Sequence, residues 1–157
     1  MEQSWQDVLD KFHYGIYLIT IAADGGYNGM IASWVTQCSH EPPLVTVAVR
    51  NNRLSRSQIL SAGKFAINVL PQDALGSIKK FKLPDWKKRF DRVEFGFSPH
   101  GNPVIESALG YLDCEVERTL DAGDHTLFIS RIRAGELHRE GEPLTTDEYG
   151  SVYRGDK

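Results

Sequence analysis

Residues 28–43 read Asn-Gly-Met-Ile-Ala-Ser-Trp-Val-Thr-Gln-Cys-Ser-His-Glu-Pro-Pro (NGMIASWVTQCSHEPP). Ala32, Ser33, Thr36 and Ser39 are small or hydroxylated, and one aromatic residue, Trp34, interrupts them. Small side chains let backbone approach a flat ligand closely, leaving N–H groups and hydroxyls to bond its polar edge. A plain mixed edge strand would carry the same residues, so the stretch must be read with its neighbours.

Upstream, Tyr14 to Ala22 (YGIYLITIA) is a β-rich run closed by the turn signal Ala23-Asp24-Gly25-Gly26, after which Met30 to Cys38 reads as a second strand, making a hairpin. Downstream, the Pro42-Pro43 stop precedes a third strand, Leu44 to Val49, and Leu54 to Ala62 has helical spacing, with Ser55 and Gln58 placed as a capping box and Gly63 as the stop. Phe65 to Leu70 reads as a fourth strand, Gln72 to Phe81 as a short helix, and Lys82 to Pro99 as a basic, aromatic and irregular loop. Tyr111 to Thr119 and Thr126 to Leu137 are two further strands joined by Leu120 to His125, and Tyr149 to Tyr153 adds a last short one. Many strands with few helices predict a closed or nearly closed antiparallel barrel, mainly β with short helices and Greek-key-like in character.

A chain of 157 residues, 41% hydrophobic and without a linker-like stretch, suits one domain over residues 1–157. Its net charge of -3, with basic residues scattered except around Lys79 to Arg92, argues against a nucleic-acid partner. No signal peptide or membrane span is recognisable, and the two cysteines, Cys38 and Cys114, lie in apolar strand-like runs, which together suit a reducing cytoplasm. The five histidines are dispersed and there is no C-x-x-C, so no metal site is expected.

The run from Gly29 to Val49 (GMIASWVTQCSHEPPLVTVAV) resembles the signature of the flavin reductase-like, FMN-binding split-barrel family, in the form found beside rubredoxin and flavodiiron modules and similar to flavoredoxin. Gly63 to Leu70, Arg89-Phe90, Gly101-Asn102-Pro103, Ala108 to Cys114 and Gly123 to Thr126 follow in the family's order, so the likeness covers nearly the whole chain. Two departures stand out: Cys38 occupies a position where a small aliphatic residue is usual, and the motif's phosphate-side threonine is Ser55.

The resemblance implies an FMN-binding split β-barrel, a homodimer with sites near the subunit interface, and hydride transfer from NADH or NADPH to flavin. Electrons would then pass to free flavin, iron or a redox protein. The alternative is a non-catalytic FMN electron carrier serving a rubredoxin-like or flavodiiron partner. It implies cofactor contacts at Asn28, Ile31, Ala32, Ser33, Trp34, Cys38, Ser39, Arg50, Ser55, Arg89, His125 and Tyr153. Each has a plainer reading beside it. Trp34 covers the flavin or simply packs; Ser55 binds phosphate, caps its helix, or does both. Arg89 is a phosphate or ribityl partner, whereas Lys87 and Lys88 form a solvated face. Cys38 is packing or cofactor lining, and Asn28 bonds the flavin or holds a turn in left-handed geometry. His125 lies toward the nicotinamide with Asp124 orienting its ring, or is an exposed loop residue, and Tyr153 closes over the cofactor or ends a surface strand. No G-x-G-x-x-G is present, so a nicotinamide would bind over the flavin itself.

Overall fold

The computed structural model describes residues 2–149. A short helix, α1 (Glu2–Leu9), leads into β1 (Tyr17–Ala23) and β2 (Gly26–Ala32), which pair antiparallel from Tyr17↔Ala32 to Ala23↔Gly26. The two residues between them, Asp24 at φ 54° and Gly25 at φ 73°, both take the left-handed conformation that matches a tight turn to strand twist. The hairpin expected from the sequence is present.

β3 (Val35–Ser39) and β4 (Leu44–Arg50) follow, then α2 (Leu54–Ala62) and β5 (Lys64–Val69). A 3-10 segment at Gln72–Lys82, another at Trp86–Lys88, and the short strands β6 (Phe95–Phe97) and β7 (Pro103–Ile105) lead to two long strands, β8 (Gly110–Ala122) and β9 (His125–Leu137), and a final turn of helix, α3 (Thr146–Tyr149). The segment expected as an irregular loop, 82–99, therefore holds one 3-10 turn and one strand. The strand expected at Tyr149 to Tyr153 falls outside the described residues except for Tyr149, which closes α3.

Seven strands form one antiparallel sheet in the order β2-β1-β5-β8-β9-β4-β3. The two edge strands, β2 and β3, are consecutive in the chain, so the sheet curls until Ser33 and Trp34 step from one edge to the other. No ladder joins those edges among the described residues, and the barrel is split at that point. This corrects the reading of Met30 to Cys38 as one strand. The sequence runs through Ser33-Trp34 with no Gly or Pro to break it, and only sheet closure forces the step.

Alternation along each strand sorts the core into two layers. Ile19, Ile21, Met30, Val45, Val47, Val49, Phe65, Ile67 and Phe128 fill the barrel, and Ile59 of α2 joins them. On the outer face Leu18 and Ile31 pack with Ala74, Ile78, Phe81, Phe90 and Ile105 from the 3-10 segment and the β6–β7 region. Gly29 belongs to this outer contact: a Cβ there would meet Phe81 Cδ1 at 2.6 Å, so the aromatic ring lies directly on the strand. Thr20 and Asn68, also outward and fully buried, pin β7, with Asn68 Nδ2 donating to Thr20 Oγ1 at 3.0 Å and Ile105 N donating to Asn68 Oδ1 at 3.1 Å.

α2 spans the residues expected, and Gly63 at φ 71° ends it with its N–H on Ile59 O. The capping box is not formed. The N-cap is Arg53, which makes no side-chain capping bond, and Ser55 sits inside the first turn with its hydroxyl directed at Met30 Sδ, 2.7 Å away. Gln58 is likewise turned inward, toward Asn28 and Asp24.

Asp113 on β8 is fully buried and accepts from Asn102 Nδ2 at 2.7 Å, His100 N at 3.1 Å and His100 Nδ1 at 2.9 Å. Burial pushes its carboxyl upward, but hydrogen bonds from Asn102, Ser98 and His100 outweigh this and hold it below the usual range. A carboxyl with a depressed folded pKa stabilises the fold above its unfolded value of 3.8, and that stability is lost as pH falls through the folded value. Asp113→Asn is therefore expected to remove stability at pH 7 and flatten the decline below pH about 4 in urea titrations. An unchanged acid limb in the variant would assign that decline to other carboxylates.

Candidate functional site

The split in the barrel is also where a cleft opens. The end of β2 contributes Met30, Ile31 and Ala32; the step between edges contributes Ser33 and Trp34; the end of β4 contributes Ala48, Val49 and Arg50. Arg53 before α2 and His125 at the start of β9 complete the lining of a solvent-open cleft. Strand register brings the last two elements together, because Arg50 pairs with His125 across β4 and β9, and Ala48 N donates to Trp34 O at 3.0 Å.

The ring of Trp34 stands 4.7 Å from that of His125, centroid to centroid, inclined at 38°. His125 Nδ1 lies 2.6 Å from Asp124 Oδ1. The hydrogen bond from His125, then electrostatic interaction with that ring, and less strongly Arg50 hold the Asp124 carboxyl below its ordinary range. The turn bearing this pair is tied to the loop before α2: Asn51 N donates to Asp124 O at 2.9 Å, Thr126 Oγ1 donates to Asn51 Oδ1 at 2.7 Å, and Arg56 Nε donates to Thr126 Oγ1 at 2.9 Å. His125 is thus a strand residue with a fixed ring, not a loop residue.

Six of the residues singled out from the sequence meet in this lining: Ile31, Ala32, Ser33, Trp34, Arg50 and His125. Met30, Ala48, Val49 and Arg53 join them without having been singled out as contacts. Arg53 had a readable signal, since it directly precedes a helix start. Ala48 and Val49 look like any strand residues until the register is known.

Three others lie behind the cleft. Asn28 is mid-strand and buried, opposite Ile21, which corrects the left-handed turn reading. Its Nδ2 donates to Gln58 Oε1 at 2.7 Å and its Oδ1 accepts from Arg89 Nη1 at 3.1 Å. Arg89 also donates to Gly29 O at 2.9 Å and to Leu83 O at 2.9 Å, fastening the 82–92 segment to β2. Ser55 lies under the cleft floor against Met30. Cys38 and Ser39 are at the far end of β3, outside the lining. Cys38 is exposed, with Thr46 Oγ1 donating to its sulfur at 3.0 Å, so it is not a buried packing residue. Tyr153 lies outside the described residues.

The cysteines differ sharply. Burial, reinforced by the Asp113 charge, pushes the Cys114 thiol up to about 12, whereas Cys38 faces solvent. Ellman's reagent at pH 8 is expected to titrate one thiol rapidly in the native protein and the second only in denaturant; two fast thiols would show that β8 opens readily.

Among the described residues no group of three or more His, Cys, Asp or Glu side chains is placed to hold a metal ion, and no helix is long and apolar enough to cross a membrane.

Fold and cleft together define a split-barrel domain with a notch at its open seam. Residues 9–153 match the flavin reductase like domain, and the chain belongs to that family. It is 32% identical over 154 residues to a flavin reductase of Pseudomonas putida, covering 98% of this chain and 89% of the relative. It is 30% identical over 151 residues to the high molecular weight rubredoxin of Moorella thermoacetica, covering 94% of this chain but only 66% of that longer protein. Among solved structures, BorF, the flavin reductase component of a bacterial two-component tryptophan halogenase, superposes with a TM-score of 0.82 at 28% identity, covering 99% of this chain and 98% of the other.

Proposed function

We propose that this protein is an FMN-binding oxidoreductase that takes electrons from NADH or NADPH, works as a homodimer in the cytoplasm, and hands electrons to free flavin, iron or a redox protein. The observation that carries this reading is the composition of the cleft: the apolar and small residues Met30 to Ser33, two guanidinium groups, and the Trp34–His125 ring pair. That set fits a flat, polar-edged ring carrying a phosphate. When bound, flavin supplies the redox chemistry, accepting hydride from the nicotinamide C4 at its N5.

The chain's own residues do the rest. Backbone N–H groups from Ala32 to Trp34 would face the ring's polar edge and stabilise negative charge developing there. Arg50 and Arg53, beside the N-terminus of α2, would hold the phosphate, where guanidinium groups and the helix dipole act together. Asp124 fixes the His125 ring and favours a proton at its Nδ1, so the ring's other nitrogen and its face are what a nicotinamide would meet. Trp34 is 43% exposed although it lines the cleft, which suits a second copy covering the open side.

Likeness to the rubredoxin protein keeps a second reading in view, a carrier that holds FMN and is reduced by a protein rather than by NAD(P)H. Anaerobic addition of NADH and of NADPH to the FMN-loaded protein separates the two. Rapid bleaching of the flavin band by either nucleotide is the expected result. A bound flavin that stays oxidised would favour the carrier, and a protein that binds no FMN would defeat both. Light scattering tests the homodimer, which a strict monomer at micromolar concentration would rule out.

A further inference from the structure

The segment from Lys79 to Phe97 takes no part in lining the cleft, yet it carries seven of the chain's 18 Lys and Arg residues between positions 79 and 92. Arg89 is turned inward to β2. Lys79, Lys82, Lys87, Lys88 and Arg92 are exposed. Beside them lies an aromatic surface. Phe97 is 57% exposed and Tyr27 38%, with their ring centroids 5.4 Å apart. Trp86 continues it, its ring packed so closely over Gly26 that a Cβ there would lie 3.2 Å away, and Lys87 Nζ stands 5.5 Å above that ring.

Soluble domains seldom leave large aromatic rings together on the surface without a use for them, and docking sites are enriched in aromatic residues surrounded by a polar rim. The chain as a whole is net negative, so this positive face is local. Its position also matters. Arg89 holds the segment to Gly29 O, one residue before Met30 enters the cleft lining.

We infer that Tyr27, Phe97 and Trp86, with the exposed cations Lys82, Lys87 and Lys88 of the segment that carries Trp86, form a docking surface for an acidic partner protein, placed beside the cleft so that the partner can receive its electrons. The last clause rests on the function proposed above; the docking itself does not. Two features favour a protein over a nucleic acid. Asp85, Asp91 and Glu94 are interspersed with the cations and would repel a continuous polyanion. The rings also meet edge to face, at 64° for Tyr27 with Phe95 and 60° for Tyr27 with Phe97, and so do not present the aligned faces on which bases stack. A compact acidic surface with an apolar centre matches both the charges and the rings.

The test is a binding measurement on the full chain loaded with FMN, using a rubredoxin of net negative charge as probe and a thymidine oligonucleotide and the protein itself as competitors for the assignment. The expected result is rubredoxin binding that weakens steeply with added salt. The triple variant Lys82→Glu, Lys87→Glu, Lys88→Glu should bind at least about tenfold more weakly and lose the salt dependence. Phe97→Ser should also bind about tenfold more weakly while keeping the salt slope. Both should bind FMN as the parent does, which shows that they are folded. Rubredoxin affinity unchanged in the triple variant, no rubredoxin binding by the parent, tighter binding of the oligonucleotide, or a charge reversal that alters only self-association would each overturn the assignment. The readout needs no turnover, so failure of NAD(P)H to bleach the flavin would count against the proposed function and leave this result standing.

Discussion

Phe128→Ala is expected to lower the free energy of unfolding by about 3–5 kcal/mol, measured by urea denaturation followed by circular dichroism. The ring is fully buried inside the barrel, in one core cluster with Val47 on the neighbouring strand β4 and with Phe65 and Ile67 on β5. Its own strand is held on both sides, by β4 and by β8, so the wall cannot move inward to fill the space. Two terms then add: the lost transfer of apolar surface and a cavity that stays open. Phe128→Leu, which keeps most of the volume, should cost well under half as much. A loss below about 1 kcal/mol in the alanine variant would mean that the interior collapses easily, which a barrel framed by continuous ladders should not do.

Replacing Arg50 and Arg53 together by alanine is expected to weaken FMN binding about 100-fold or more. Two charge-assisted hydrogen bonds at about 1.5 kcal/mol each give about 3 kcal/mol, and each 1.4 kcal/mol is a factor of ten. Riboflavin lacks the phosphate, so its affinity should change little, and this comparison isolates the contact proposed for the two arginines. Equal losses for FMN and riboflavin would place the arginines at the ring or make them structural. The single variants should show smaller, salt-sensitive losses, because the remaining guanidinium still faces the anion.

Much of the cleft was legible in the stretch that follows Asn28. Ala32, Ser33 and Trp34 line it beside Ile31, and the features that mark them in the sequence, small size and one aromatic ring, are the ones that suit a surface for a flat ligand. His125 was legible only through its motif, since nothing local distinguishes it from other dispersed histidines. Arg89, Asn28 and Ser55 show the converse. All three carry groups suited to a phosphate or a flavin edge, and all three are directed at the protein itself, to Gly29 O, Gln58 and Met30. A sequence states which donors are available, and only packing states where they point.

By itself the sequence determined the local elements. Asp24-Gly25 made a hairpin because those residues tolerate positive φ; Gly63 ended α2 for the same reason; alternation in β4 sorted inward from outward residues. Only the tertiary structure decided where the barrel splits. Ser33 and Trp34 are as compatible with a strand as their neighbours, and what stops the ladder there is a sheet whose edges, β2 and β3, have come round to face each other. Short-range preferences reach across a few residues, whereas the closing of seven strands depends on pairings between residues as far apart as Arg50 and His125, and so does the cleft that this closure leaves open.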